Sequence, residues 1–420
     1  MKNRSPWCWV PSLYFAEGLP FVAINVLSLV MYKCMDISNA EIAFYTSWLN
    51  LPWVVKPLWS PFVDLLRTKR WWIVSMQLLL GAGMAGVAFT IPTEHFFQVT
   101  LAMFWLMAFS SATHDIAADG FYMLGLTSRQ QAFFVGIRST FYRIATIAGQ
   151  GILIMLAGWV ERLTGNVSFA WSLVFFVAAG LLLALWVYHS FALPSPVLDK
   201  KTADASSSGI FSGFLCTFRS FFRKENAWAS VLFMLLYRLP EAQLVKMEIP
   251  FLKDSLVVGG LGLATEQIGF AQGTVGILGL TLGGILGGYL VSRNGLKYWI
   301  WPMVWAISLP DAVFVYLSYF PQTGLLWINV CVFVEQFGYG LGFTAYMMFL
   351  LYYSHGQHGT AHYAICTAFM ALGMMLPGMA AGWLQEMMGY RLFFIWIMFC
   401  CVATFAVTAL LKIDPSFGKK

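Results

Sequence analysis

Charge is scarce in this chain: Asp, Glu, Lys and Arg make up 10% of its 420 residues, against about 25% in an ordinary soluble domain. That excludes a protein clothed in water-facing side chains. Paired cysteines are missing as well. Cys8, Cys34, Cys216, Cys331, Cys366, Cys400 and Cys401 are scattered, with no CxxC or Cys/His cluster. This pattern excludes a disulfide framework and a thiolate metal centre, and leaves small apolar fillers. Nucleophile elbows and HExxH motifs are absent, and no glycine-rich loop leads into Lys-Ser/Thr. No enzymatic activity, metal or cofactor is expected.

What the chain has in abundance is apolar sequence: 59% hydrophobic residues and a mean hydropathy of +0.72. Apolar runs of about 20 residues recur along its whole length, the signature of transmembrane helices. The pattern predicts an all-α polytopic membrane protein with twelve spans, at 7–32, 40–64, 71–91, 97–124, 130–160, 168–192, 226–252, 266–292, 297–320, 323–352, 359–386 and 390–412. The first run is too long for a cleaved signal peptide and is expected to stay as a span. The longest polar stretch, 193–225, holds Pro194, Pro196 and a Ser206-Ser207-Ser208 run, a linker composition. It divides a six-helix half, 1–192, from a second, 226–420, with the linker expected in the cytoplasm. This layout resembles the two-halved plan of major-facilitator transporters.

The basic residues orient the chain. Of the 25 Lys and Arg, sixteen fall on the loops and ends expected inside, and only Lys33, Arg162, Lys253 and Arg391 outside. That bias places both termini in the cytoplasm. It also explains the net charge of +6 without a nucleic-acid partner. Glycines 279, 283 and 287, and 284 and 288, recur every four residues, a spacing that lets helices approach closely.

A charge inside a bilayer is costly and usually faces a cavity or a partner. Counting about 1.5 Å per helical residue places Glu17, Arg143, Arg238, Glu241, Asp311 and Glu335 near mid-bilayer. Lys56 and Asp115 fall toward the inner side, and Asp64 and Asp119 near the inner surface. Glu17, Asp115, Glu241, Asp311 and Glu335 are the proton-coupling candidates, because burial favours the neutral form of a carboxyl. Arg143 and Arg238 are candidate grips for an anionic substrate, since guanidinium pairs with carboxylate in bidentate fashion. Tyr14 and Tyr237, beside the charges, are candidate faces for sugar rings. Asp115 is deep enough to pair with Lys56, whereas Asp119 lies near Asp64, Arg67 and Arg70. Lys56, Asp64, Arg67 and Asp119 are therefore the gating candidates. His114, next to Asp115, turns to another helix face and carries no assignment. His355, His358 and His362 read as a polar loop.

Three segments, Glu17-Gly18-Leu19-Pro20, Lys56-Pro57-Leu58-Trp59-Ser60-Pro61-Phe62-Val63-Asp64 and Ala112-Thr113-His114-Asp115-Ile116-Ala117-Ala118-Asp119-Gly120, resemble those of the AmpG muropeptide permeases. The likeness extends through Tyr237-Arg238-Leu239, Phe333-Val334-Glu335-Gln336 and Pro377-Gly378-Met379-Ala380-Ala381-Gly382-Trp383. It departs at His114, where members commonly have Gln. The resemblance implies a proton-driven importer in the bacterial inner membrane, acting by alternating access. It implies N-acetylglucosaminyl-anhydro-N-acetylmuramyl peptides as substrates. Protons, one small-molecule substrate and the lipid bilayer are the expected partners of a monomeric protein. The alternatives are a carrier of another anionic or sugar-containing solute, such as an acyl-coenzyme A or a drug, and a membrane sensor that binds such fragments without moving them.

Overall fold

The computed structural model describes residues 5–194, 218–355 and 359–417; the side chains of 61, 62, 64, 65, 128, 129, 132, 135 and 359–361 fall outside that description. Most of the expected linker lies outside it too. Nine described segments are long and apolar enough to cross a membrane. The expected spans beyond these nine are present in broken or fused form, for reasons the sequence carries.

The second span is two helices, α2 (Asn39–Trp48) and α3 (Leu51–Leu66). Ser38 starts α2 by accepting a hydrogen bond from the Glu41 backbone N–H at 3.2 Å. The seventh span is also two helices, α8 (Ala227–Leu236) and α9 (Leu239–Lys253). Pro240 has no N–H to give the carbonyl four residues earlier, so the helix restarts with Pro240 in its first turn. The last two spans run together as one helix, α14 (Gly359–Ala409), bent where Gly389 takes φ +71°. A side chain would be strained there, and glycine supplies the bend. The chain thus folds as an all-α protein of twelve spans.

By their contacts the described residues divide into two compact units, one from Met1–Met35 with Val55–Ile210 and one from Asp36–Val54 with Phe211–Lys420. In the first, α1 (Val10–Val22) packs on α6 (Ser128–Thr146), and α4 (Lys69–Thr90) packs on both α5 (Phe96–Gly125) and α7 (Val167–Ala192). Both α1 and α6 run on into wider π-helical turns, Ala23–Leu27 and Ile147–Leu153. In the second unit, α14 packs against α2, α8 and α9, and α10 (Ile277–Asn294) packs on α13 (Leu325–Ser354). α11 (Leu296–Ser308) and α12 (Ala312–Tyr319) form the ninth span, parted at Pro310.

The α10–α13 contact is set by glycine. A Cβ at Gly283 would lie 2.1 Å from the Phe337 carbonyl, and one at Gly340 2.2 Å from the Leu280 carbonyl. Gly279 and Gly287 are similarly tight, at 2.7 Å from Phe333 O and 2.8 Å from Thr344 Oγ1. Gly288 differs: nothing described lies within 4 Å of its would-be Cβ. The spacing therefore marks a packing seam at 279, 283 and 287, and Gly288 is outside it. Gly283→Val should destabilise the purified protein by about 3 kcal/mol, the upper range for overpacking. Gly288→Val should stay within about 0.5 kcal/mol of the parent, as for open surface sites. Thermal unfolding in detergent measures both, and equal losses would refute the seam.

Candidate functional site

Each unit gathers ionisable side chains in its apolar interior. In the first unit they come from four helices. α1 supplies Tyr14 and Glu17, one turn apart on one face. α3 supplies Lys56, α5 supplies Asp115 and Asp119, again one turn apart, and α6 supplies Arg138. Lys56 Nζ donates to Asp115 Oδ2 in an ion pair. The Glu17 carboxyl approaches Asp115 closely enough for a side-chain hydrogen bond between the two acids. Its Oε2 is buried and has no hydrogen-bond partner among the described residues.

Asp119 is held differently. Its Oδ1 pairs with Arg138 Nη1 at 3.0 Å and accepts from the Tyr14 hydroxyl at 3.2 Å. Arg138 also donates to that hydroxyl at 2.9 Å and lies over the rings of Tyr14 and Tyr122, at 4.6 and 5.2 Å. A flat guanidinium can stack on a ring and pair with a carboxylate at once, which an ammonium does poorly. By sequence Arg138 is a basic residue inside a span, and nothing in its spacing points to its partner. Arg143 is half-buried on the same helix, and Arg67 lies over the Trp71 ring at 5.5 Å. The side chain of Asp64 lies outside the described residues.

His114 turns away from Asp115, as its helix position requires, into a buried chain. The Gln77 amide bridges His114 Nε2 at 3.0 Å and His189 Nδ1 at 2.9 Å, and His189 Nε2 meets Ser12 Oγ at 2.9 Å. These bonds satisfy polar groups that burial would otherwise leave costly.

In the second unit the breaks in the helices place the charges. Arg238 caps α9 at its interruption and Glu241 sits in its first turn. Asp311 follows the Pro310 break, and Gly338 of α13 lets the backbone close on that break, since its Cβ would lie 2.2 Å from the Ala306 carbonyl. Glu241, Asp311 and Glu335 are all buried, and one carboxylate oxygen of each lies within 4.8 Å of the others. Oxygens that close can share protons or surround a small hard cation. Gln336 donates to Glu335 at 2.9 Å, and Gln272 donates to the nearby Glu248.

Arg238 donates to the Tyr339 hydroxyl and lies over the Tyr339 and Phe343 rings, at 5.3 and 4.7 Å. Its Nε is buried with no hydrogen-bond partner among the described residues. Tyr237 is fully buried, donating to the Gly342 carbonyl at 3.1 Å and stacking on Tyr346. In this arrangement the ring packs the helix break that carries Arg238.

Comparison with known proteins agrees with this architecture. An anhydromuropeptide permease from Escherichia coli (strain K12) is 25% identical over 392 residues, covering 91% of this chain and 75% of its own length. A protein bearing the AmpG name from Rickettsia conorii is 25% identical over 394 residues, 91% of each chain. The likeness to AmpG-type permeases seen in the motifs thus extends along the chain. Among solved structures, a D-xylose–proton symporter superposes with a TM-score of 0.73 at 11% identity, over 99% of each chain. The nucleoside transporter NupG gives 0.70 at 17% identity, over 99% of this chain and 100% of its own. At those identities the likeness is one of fold. The family model described as Major Facilitator Superfamily matches residues 12–362, so this multi-pass membrane protein belongs to that superfamily and is a transporter.

Proposed function

We propose that this transporter imports cell-wall muropeptides, N-acetylglucosaminyl-anhydro-N-acetylmuramyl peptides, by proton-coupled alternating access. Its place is the bacterial inner membrane, with both termini cytoplasmic, as the bias of basic residues suggests. The substrate class rests on the relatives and the shared motifs. The chemistry of the buried groups suits it: muropeptides carry carboxylates, which a guanidinium can grip, and Arg238 keeps one donor without a partner.

One observation carries the coupling. In the first unit three acids, Glu17, Asp115 and Asp119, share two bases, Lys56 and Arg138. With all five ionised one negative charge is left over in an apolar surround, where an unbalanced charge is costly. A proton held between Glu17 and Asp115 restores balance. Losing it to the cytoplasm leaves Lys56 to hold two carboxylates, a different electrostatic state of the same site. Asp119, Arg138 and Tyr14 form the neighbouring brace, whose opening would expose the pair. In the second unit Glu241, Asp311 and Glu335 are the further proton acceptors, and Arg238 the grip.

Uptake of labelled disaccharide muropeptide into proteoliposomes, with and without an inward proton gradient, tests the reading. Gradient-dependent accumulation is expected; no uptake, or uptake indifferent to the gradient, would sink it. Glu17→Gln and Asp115→Asn should each cut uphill uptake by about tenfold or more, equivalent to about 1.4 kcal/mol of coupling. Both should leave counterflow exchange near the parent rate.

The brace yields a separate expectation. Arg138→Ala removes a half-exposed ion pair and two ring contacts, together about 1–2 kcal/mol of stability after allowance for solvent screening. Arg138→Lys should recover only part of that loss, because the ammonium cannot stack and pair together. Thermal unfolding of the three proteins decides, and full recovery by lysine would show the stacking to be unimportant.

A further inference from the structure

Lys246 lies outside both carboxylate clusters, and no role follows for it from the coupling scheme. It is 6% exposed, in the middle of α9. Among the described residues its one partner is a hydroxyl: Nζ donates to Thr46 Oγ1 of α2 at 3.0 Å. The Thr46 hydroxyl hydrogen is already given to the Ile42 carbonyl at 2.7 Å, so the oxygen can only accept. The acids of the same helix turn elsewhere, Glu248 to Gln272 and Glu241 to Asp311 and Glu335. An ammonium has three N–H donors, and one neutral acceptor leaves it without a counter-charge. Buried charges are ordinarily paired.

Two further features point to the missing partner. Ser47 Oγ, on the next residue of α2, is fully buried and has no hydrogen-bond partner among the described residues. It is a second donor left over beside the first. Gly378 of α14 is the neighbour both share, packed closely on them: a Cβ there would lie 2.8 Å from Ser47 Oγ, 3.1 Å from the Ala242 carbonyl and 3.5 Å from Lys246 Cγ. All of these residues belong to the second unit.

We propose that Lys246 and Ser47, side by side against Gly378, form an anion-binding site that takes a carboxylate. One carboxylate oxygen would accept from Lys246 Nζ and the other from Ser47 Oγ, giving the ammonium its counter-charge and the hydroxyl its acceptor. Thr46 Oγ1 holds the ammonium in place until then. The site is assigned on its own chemistry. That the carboxylate belongs to the carried solute rests on the import reading above, and distinguishes acid from amide forms of the substrate.

Two measurements on the full chain separate these claims. The first is thermal unfolding of the purified protein with N-acetylmuramic acid or with N-acetylglucosamine, which lacks the carboxylate. The parent should be stabilised by the acid and not by the neutral sugar; Lys246→Gln should lose that shift and Ser47→Ala reduce it. The second compares KM for anhydromuramyl tripeptide and for the same compound amidated at every carboxyl. Lys246→Gln should raise KM for the acid by about tenfold, the loss of one charge-assisted hydrogen bond, and leave that for the amide unchanged. If Lys246→Gln fails to fold, Ser47→Ala and Gly378→Ala carry the same comparison. Equal stabilisation by both sugars, no stabilisation by either, or an acid preference that survives these substitutions overturns the site. A carboxylate-dependent shift without any muropeptide uptake keeps the site and overturns the import reading.

Discussion

The structure turns on the cost of holding charge where water is scarce. An ionised side chain inside an apolar bundle must find its counter-charge and hydrogen bonds within the protein, because the surroundings offer none. In the first unit Lys56 answers Asp115 and Arg138 answers Asp119. Glu17, set against Asp115, is the group left without its own cation. In the second unit three buried carboxyls crowd together, with Arg238 near Glu241. Such incomplete compensation makes poor ballast and good machinery, since a proton or an anionic solute changes the balance.

Backbone breaks put these groups in place. Pro240 and Pro310 interrupt spans seven and nine, and Arg238 and Asp311 sit at the interruptions. Gly338 lets α13 close on the second break, which brings Glu335 within reach of Asp311. The same economy of side chain sets the α10–α13 seam, where Gly283 and Gly340 bring helix backbones into contact without a cavity to fill. Packing energy in a bilayer comes from such close approach more than from apolar burial, which lipid already provides.

Much of the fold was readable because apolar runs of span length need no tertiary context. What escaped were the interruptions: the turn between Trp48 and Leu51 and the restart at Leu239 depend on local backbone bonds, so counting residues merged what the chain divides. The Lys56–Asp115 contact could be anticipated from depth alone. Arg138 could not, because its pairing with Asp119 depends on how α6 is rotated against α1 and on two tyrosine rings. Glu17 was set deeper than Asp115 by residue counting, yet the two acids meet. A fixed rise per residue ignores the π-helical widening after Val22 and the tilt of each helix. Tyr237 was read as a face for sugar because it neighbours charge. Burial and the bond to Gly342 are properties of the packed bundle and leave no trace in spacing.

The central claim is that a proton rests between Glu17 and Asp115 while Lys56 remains charged. Infrared difference spectroscopy of the purified transporter at neutral pH addresses it directly, because a protonated carboxyl has a carbonyl band that a carboxylate lacks. The account predicts such a band in the parent protein, lost in Glu17→Gln and lost when muropeptide is carried through to the proton-releasing state. A spectrum with no band that depends on Glu17 or Asp115 would contradict it.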